Sequence, residues 1–354
     1  MKVKNRINSI GSILVLSISV TASIVALEWF SAYYVAKNGF LGMDKKFTDG
    51  WNYPQPYVMF GPRSGYAPPY PTREKPKGEF RIFVLGGSTV RIGTPAIPRL
   101  LEEKFSSLGQ SHVKVFNLGV IGSQSNMELA RIVYEVADLK PDLIINYGGG
   151  NNIYGPLTQD PRPGYPQDFI VYQNNPIYQY NADNFPVFYV LIKKSRFLSL
   201  LNGYLRFTEP NFNLDQIREI AGWRTPGWEN QIAASYMESL IKSQKIARAF
   251  GADFIAIFQP VKGFYEEAQF ESFELREYSL RMRKRVQEEI ASAIEKEKLN
   301  IIDLSSAFES TGHNGIFSDW IHLNQAGNEI IADSIYKIIK EKVSKNNKQA
   351  ALHN

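Results

Sequence analysis

The chain has 354 residues, 44% of them hydrophobic, enough for one large globular domain with a sizeable core or for two small ones. Its 40 basic and 35 acidic residues leave a formal charge of +5, and no basic stripe is interleaved with aromatics, so no nucleic-acid partner is expected. Without cysteine there are no disulfides or thiolate metal sites, and His112, His313, His322 and His353 lack the spacing of a zinc motif, so no metal site is expected.

Ile7 to Leu27 carries no charged residue. At ~1.5 Å per residue this run spans roughly 31 Å, the thickness of a hydrocarbon core. Residues 7–30 therefore read as a transmembrane helix or uncleaved signal anchor. Lys2, Lys4 and Arg6 in the stub 1–6 place the N-terminus in the cytoplasm. Trp29, Phe30, Tyr33 and Tyr34 follow as an aromatic belt would, so the globular part is expected on the extracytoplasmic side. A cleaved signal peptide is the competing reading, with Val20-Thr21-Ala22 as its cleavage site and a mature chain starting at Ser23.

Residues 31–79 read as a linker, because seven prolines between Trp51 and Pro76 exclude helix and central strand. A regular alternation follows over residues 80–343. Strands are expected at Phe80 to Leu85, Val113 to Phe116, Leu143 to Asn146, Asp253 to Phe258 and Asn300 to Asp303. Helices are expected at Pro98 to Leu108, Met127 to Leu139, Glu229 to Phe250, Leu275 to Lys298 and Asn324 to Val343. Such alternation implies an α/β domain with a mostly parallel sheet covered on both faces. Residues 154–228 break the rhythm, being long, aromatic and Pro-containing, and read as an insertion or lid. Lysines near the C-terminus read as a solvated helix end, with 344–354 a loose tail.

Four short segments carry chemistry. Ser88 follows the first strand in a Gly-Gly turn that frees its hydroxyl, although Ser at such a turn is also a common helix cap. Gly122, after the second strand, offers a backbone N–H to a developing oxyanion, or is a plain turn glycine. Asn151, after the third, offers a side-chain amide, or is an Asn in a left-handed turn. Asp319 and His322 are spaced so that, in a turn, the carboxylate reaches the imidazole and fixes its tautomer. His313 is the rival base, but no acid stands at that spacing. Ligands of open parallel sheets sit at the carboxyl ends of the strands, where the first three segments begin. Arg91 is a candidate for binding an anionic substrate group. Tyr147, Tyr154, Tyr165, Trp223 and Trp228 are candidates for stacking a sugar, with core or lid packing as the alternative.

In this order, Ser88, Gly122, Asn151 and His322 resemble the four blocks of the SGNH hydrolases, also called GDSL esterases, with Asp319 in the DxxH of the last block. The likeness covers roughly residues 80 to 340 without the insertion. It implies a three-layer flavodoxin-like fold with a five-stranded sheet and no cofactor. It also implies Ser88 as nucleophile, His322 as base, Asp319 as its partner, and an oxyanion hole from Ser88, Gly122 and Asn151. Gly87 stands where the first block has Asp, and Asn152 where the third has Asp. The expected activity is hydrolysis of O-acyl esters, acetyl esters of a cell-envelope glycan among them. Transfer of the acyl group to a polysaccharide, or glycan binding without catalysis, are the alternatives. An acylated small molecule or glycan and the membrane are the expected partners.

Overall fold

The computed structural model of the chain describes residues 2–38, 52–55, 57–62, 70–167, 169–173, 194–205, 213–265, 273–309 and 315–352. The chain divides into two units, Met1–Trp51 with Ile170–Phe212, and Asn52–Phe169 with Asn213–Asn354.

In the first unit, helix Lys2–Asn38 contains a stretch, Ser12–Lys37, that is long and apolar enough to cross a membrane and whose apolar side chains from Ile13 to Leu27 are exposed. Membrane anchors and signal sequences share that property. The helix runs beyond residue 30, where the expected membrane segment ends, to Asn38, the last described residue of this stretch. Helix Arg196–Leu205 packs against it.

The second unit begins with a two-stranded antiparallel ribbon, β1 (Asn52–Gln55) and β2 (Met59–Pro62), inside the expected linker. Both strands of a two-stranded ribbon are edges, so Pro54 and Pro62 are tolerated. Residues 70–79 are held to the domain by buried arginines. The Arg81 guanidinium donates to the carbonyls of Thr72 and Glu74 and of Leu139, at 2.8, 3.0 and 2.7 Å. Arg131 donates to the Tyr70 hydroxyl at 2.9 Å.

Five parallel strands form the sheet: β3 (Phe80–Gly86), β4 (Val113–Gly119), β5 (Leu143–Gly148), β6 (Asp253–Phe258) and β7 (Ile301–Asp303), in the spatial order β4-β3-β5-β6-β7. This is the expected α/β architecture. Strands β3 and β5 are buried along their whole length, as near-continuous apolar runs between two helical layers require. Each fully buried Leu, Ile or Phe contributes about 1.5–3 kcal/mol relative to an exposed one. Right-handed crossovers from β3 outward to β4, and from β4 back past β3 to β5, put their helices on opposite faces. Helices Ile97–Ser107 and Gln325–Leu352 pack together on one side. Helices Ser125–Arg131, Pro226–Ala249 and Phe273–Glu297 line the other. The first of these widens into a π turn over Ile132–Val136. The last helix continues to Leu352, through most of the segment expected as a loose tail.

The strand order reverses around β3, so the loops after β3, β4 and β5 open a crevice at their carboxyl ends, the usual ligand position in such sheets.

Candidate active site

The loops at this crevice are cross-linked by short-range hydrogen bonds. After β3 the chain turns at Gly86, where a side chain has no room: a Cβ there would lie 2.2 Å from the Tyr147 carbonyl oxygen. The short helix Ser88–Arg91 starts at once, and Thr89 Oγ1 donates to Gln259 Oε1 at 3.1 Å, tying it to the end of β6. The loop after β4 is fixed by Val120 N–H donating to the Gly86 carbonyl at 2.9 Å. The loop after β5 joins it through Asn151 Nδ2 donating to the Ser123 carbonyl at 2.8 Å and Gln124 Nε2 to the Asn151 carbonyl at 3.0 Å.

The segment Ser318–His322 forms its own turn. Asp319 Oδ1 accepts the backbone N–H groups of Ile321 (2.8 Å) and His322 (2.7 Å). Ser318 N–H donates to the His322 carbonyl at 2.9 Å, and Phe317 bridges Leu323 in antiparallel fashion. Asn324 Oδ1 then caps the last helix by accepting from Gly327 N–H at 3.0 Å. This turn leaves Asp319 Oδ2 2.6 Å from His322 Nδ1, while His322 Nε2 lies 2.7 Å from Ser88 Oγ. The hydroxyl is almost fully buried, whereas Asp319 is half-exposed. Partial burial works to raise the Asp319 pKa, but the hydrogen bonds from the His322 ring and from the His322 and Ile321 N–H groups outweigh it and pull the carboxyl down to about 2.

Asn151 lies against the nucleophile turn. A methyl built on Gly87 would come within 2.3 Å of Asn151 Nδ2. Gly87, one of the two departures from the SGNH pattern, thus leaves the room this amide occupies. Among the described residues, the Ser123 carbonyl is the acceptor for this amide. Gly122 sits in the β4 loop at φ +75°, and neither its N–H nor that of Ser88 donates to a backbone carbonyl among the described residues. Asn152, the other departure, acts at the start of helix Ser125–Arg131: its Oδ1 accepts Ser125 N–H at 3.3 Å and its Nδ2 donates to Ser125 Oγ at 2.9 Å.

The candidate sugar platforms are elsewhere. Tyr154 is buried, with its hydroxyl 2.6 Å from Ser279 Oγ. Trp228 is 1% exposed, and its ring N–H donates to the Pro161 carbonyl at 2.6 Å. Tyr147 is buried inside β5. No ligand can stack on these three rings, because neighbouring side chains already cover them. Trp223 already stacks with the guanidiniums of Arg218 and Arg224, at 4.4 and 4.2 Å from its ring. Tyr165 is exposed but lies under the Arg162 guanidinium at 4.0 Å. Arg91 is half-buried; burial lowers its pKa, with Tyr70 opposing and Arg131 adding to the effect, and it shares no hydrogen bond with Ser88, Asn151 or His322 among the described residues. His313 lies outside the described residues.

Three features of the site were missed at the level of sequence. Trp320, inside the DWIH segment, is 38% exposed and packs edge-on against Tyr154 at 4.7 Å. Gln259 directly follows β6, and that position at a strand's carboxyl end was the available signal. Glu128 is fully buried behind the β4 loop and accepts from Asn146 Nδ2 at 2.8 Å. Burial pushes its carboxyl up to about 7, against the opposing effects of Asn146, Ser123 and Arg131. Nothing in its local sequence marks it.

With this geometry in place, the family is plain. The profile of the GDSL-like lipase/acylhydrolase family matches residues 82–335, so the chain belongs to that family and is a serine ester hydrolase. Similar folds occur in an acetyl xylan esterase (13% identical, covering 73% of this chain and 100% of that one, TM-score 0.42). A GDSL-like lipase from Bacteroides thetaiotaomicron (12% identical, 77% and 93% covered, TM-score 0.43) is also similar. So is a lipase/acylhydrolase from Enterococcus faecalis (18% identical, 74% and 96% covered, TM-score 0.41). Among curated proteins, none matches this chain.

Proposed function

We propose that this chain is a membrane-anchored, extracytoplasmic esterase that removes O-acyl groups, acetyl groups among them, from a cell-envelope glycan. The observation that carries this reading is the hydrogen-bonded sequence Ser88–His322–Asp319 beside the Asn151 amide. Ser88 Oγ attacks the ester carbonyl while His322 Nε2 takes its proton, and Asp319 holds the imidazole in the tautomer this requires. The oxyanion then faces the Ser88 and Gly122 N–H groups and Asn151 Nδ2. The alcohol leaves with the proton from His322, and water, deprotonated by the same ring, releases the acid from the acyl-enzyme. The glycan is supported by Trp320, a half-exposed aromatic face two residues from the base. Anchoring and orientation are supported by the exposed apolar stretch of helix Lys2–Asn38, with Lys2, Lys4 and Arg6 before that stretch and Trp29, Phe30, Tyr33 and Tyr34 towards its end.

The test is acetate release by the full chain from p-nitrophenyl acetate and from an acetylated oligosaccharide. Ser88→Ala is expected to lower turnover on both by on the order of 10⁶. Trp320→Ala is expected to raise KM for the oligosaccharide more than for the small ester. Unchanged activity in Ser88→Ala would overturn the nucleophile, and equal effects of Trp320→Ala on both substrates would overturn the glycan.

A further inference from the structure

Glu28 is the first charged residue after the run Ile7 to Leu27, so on the anchor reading it lies at the outer edge of the hydrocarbon core. A carboxylate there needs partners, and the insertion supplies them. Glu28 Oε2 accepts the Ser195 hydroxyl at 2.7 Å and the Phe197 N–H at 3.2 Å, and Oε1 accepts the Arg196 N–H. Ser195 Oγ in turn accepts Leu198 N–H at 3.1 Å. The carboxylate of one helix thus caps the N-terminus of another, Arg196–Leu205, and fixes its first turn at the depth of Glu28.

The composition of the capped helix suits that depth. Phe197, Leu200 and Leu201 recur at i, i+3 and i+4, the spacing of one apolar helix face. Leu201 is 37% exposed, while Phe197, Leu198 and Leu200 are only partly covered. Lys193, Lys194, Arg196 and Arg206 flank or open the helix, and no acid occurs from Lys193 to Arg206. An apolar face bordered by cations is what a helix lying in the headgroup layer of an anionic bilayer needs.

We propose that helix Arg196–Leu205 is a second membrane contact, lying in the outer headgroup layer of the bilayer that helix Lys2–Asn38 spans, with anionic lipid as its partner. The proposal rests on the anchor reading above. It ties residues 194–205 of the insertion to the membrane surface.

The absence of cysteine makes the test direct. Leu16→Cys, Leu201→Cys and Ser106→Cys, each in the full chain, are spin-labelled and reconstituted in vesicles of phosphatidylethanolamine and phosphatidylglycerol. Collision rates with oxygen and with a water-soluble nickel chelate then report depth. The label at 16 is expected to be shielded from nickel and open to oxygen, at 106 the reverse, and at 201 to sit at shallow depth. Replacing phosphatidylglycerol with phosphatidylcholine is expected to shift only the label at 201 towards water. A buried label at 16 with a fully nickel-accessible label at 201 would overturn the second contact and leave the anchor standing. A nickel-accessible label at 16 would overturn the anchor and the inference with it.

Discussion

The DxxH turn and the buried layer behind the β4 loop each contain one carboxylate, and the two are driven in opposite directions. Asp319 is half-exposed and accepts two backbone N–H groups and the imidazole, so its carboxyl falls to about 2. Glu128 is fully buried beside two neutral side-chain donors, the Asn146 amide and the Ser123 hydroxyl, and its carboxyl rises to about 7. The number of donors aimed at a carboxylate, weighed against its loss of water, decides which form the fold keeps. A group that must stay negative while a neighbouring imidazole gains and loses a proton is built in the first way. A group that packs a layer together can be built in the second.

The largest break in this comparison comes from removing the charge of Asp319 while keeping its shape. Asp319→Asn retains an acceptor for the Ile321 and His322 N–H groups but presents an amide or a neutral carbonyl to Nδ1. The imidazole is then held in the wrong tautomer, and turnover is expected to fall by about 10⁴. Single-turnover kinetics on p-nitrophenyl acetate measure this, with thermal unfolding of the variant as a check that the turn survives. A loss of less than tenfold would mean that His322 does not depend on Asp319 for its orientation.

The next break acts on the oxyanion side. Asn151→Ala is expected to cost about 10²–10³ in turnover. Gly87→Ala places a methyl where Asn151 Nδ2 now sits, 2.3 Å from it, and is expected to push that amide away from the substrate oxygen. Its loss should reach at most about 10², short of deletion, because the donor is displaced rather than removed. If the two positions act through one group, the double variant is no slower than Asn151→Ala alone. Additive losses would separate Gly87 from Asn151 and assign the glycine to the Ser88 turn itself.

These residues differ in how far the sequence alone exposes them, and the reason is range. The DxxH turn is closed by bonds spanning three residues, so its geometry follows from spacing. Ser88, Gly122 and Asn151 are far apart in sequence, but each follows an apolar strand, and parallel strands bring their carboxyl ends to one crevice. Tyr154 and Trp228 misled because aromatic content near a site says nothing of which way a ring faces. Trp228 opens a helix whose inner side packs on the core, and the Pro161 carbonyl satisfies its N–H. The helical stretches that reach residues 38 and 352 were not legible for a different reason. Hydropathy marks where a membrane span stops, whereas the backbone carries on through Ser-Ala-Tyr-Tyr and Asn-Asn-Lys-Gln stretches that tolerate helix. Glu128 was not legible at all. An acid in the heptapeptide Ser-Asn-Met-Glu-Leu-Ala-Arg reads as solvated, and only the packing of that helix against β5 buries it beside Asn146.

Glu128 gives the smallest effect on catalysis and the clearest effect on stability. Its neighbours are Asn146 on β5, Ser123 in the β4 loop, Arg131 on its own helix and Tyr236 on helix Pro226–Ala249, whose hydroxyl is raised by burial first and by Glu128 second. Because the folded-state value, about 7, lies above the ordinary 4.5, the native protein holds a proton that the unfolded chain releases between those pH values. The stabilisation is complete below pH 4.5 and is lost as pH rises through 7, by roughly 3 kcal/mol in all. Glu128→Gln keeps the shape, an acceptor for Asn146 and a neutral group at every pH. It is therefore expected to remove this slope, unfolding at higher denaturant than the parent at pH 8 and at nearly the same denaturant at pH 4. Urea midpoints at the two pH values test this. Parallel pH dependences in parent and variant would show that Glu128 is already ionised in the folded protein, with Arg131 and the Asn146 amide sufficient to hold its charge.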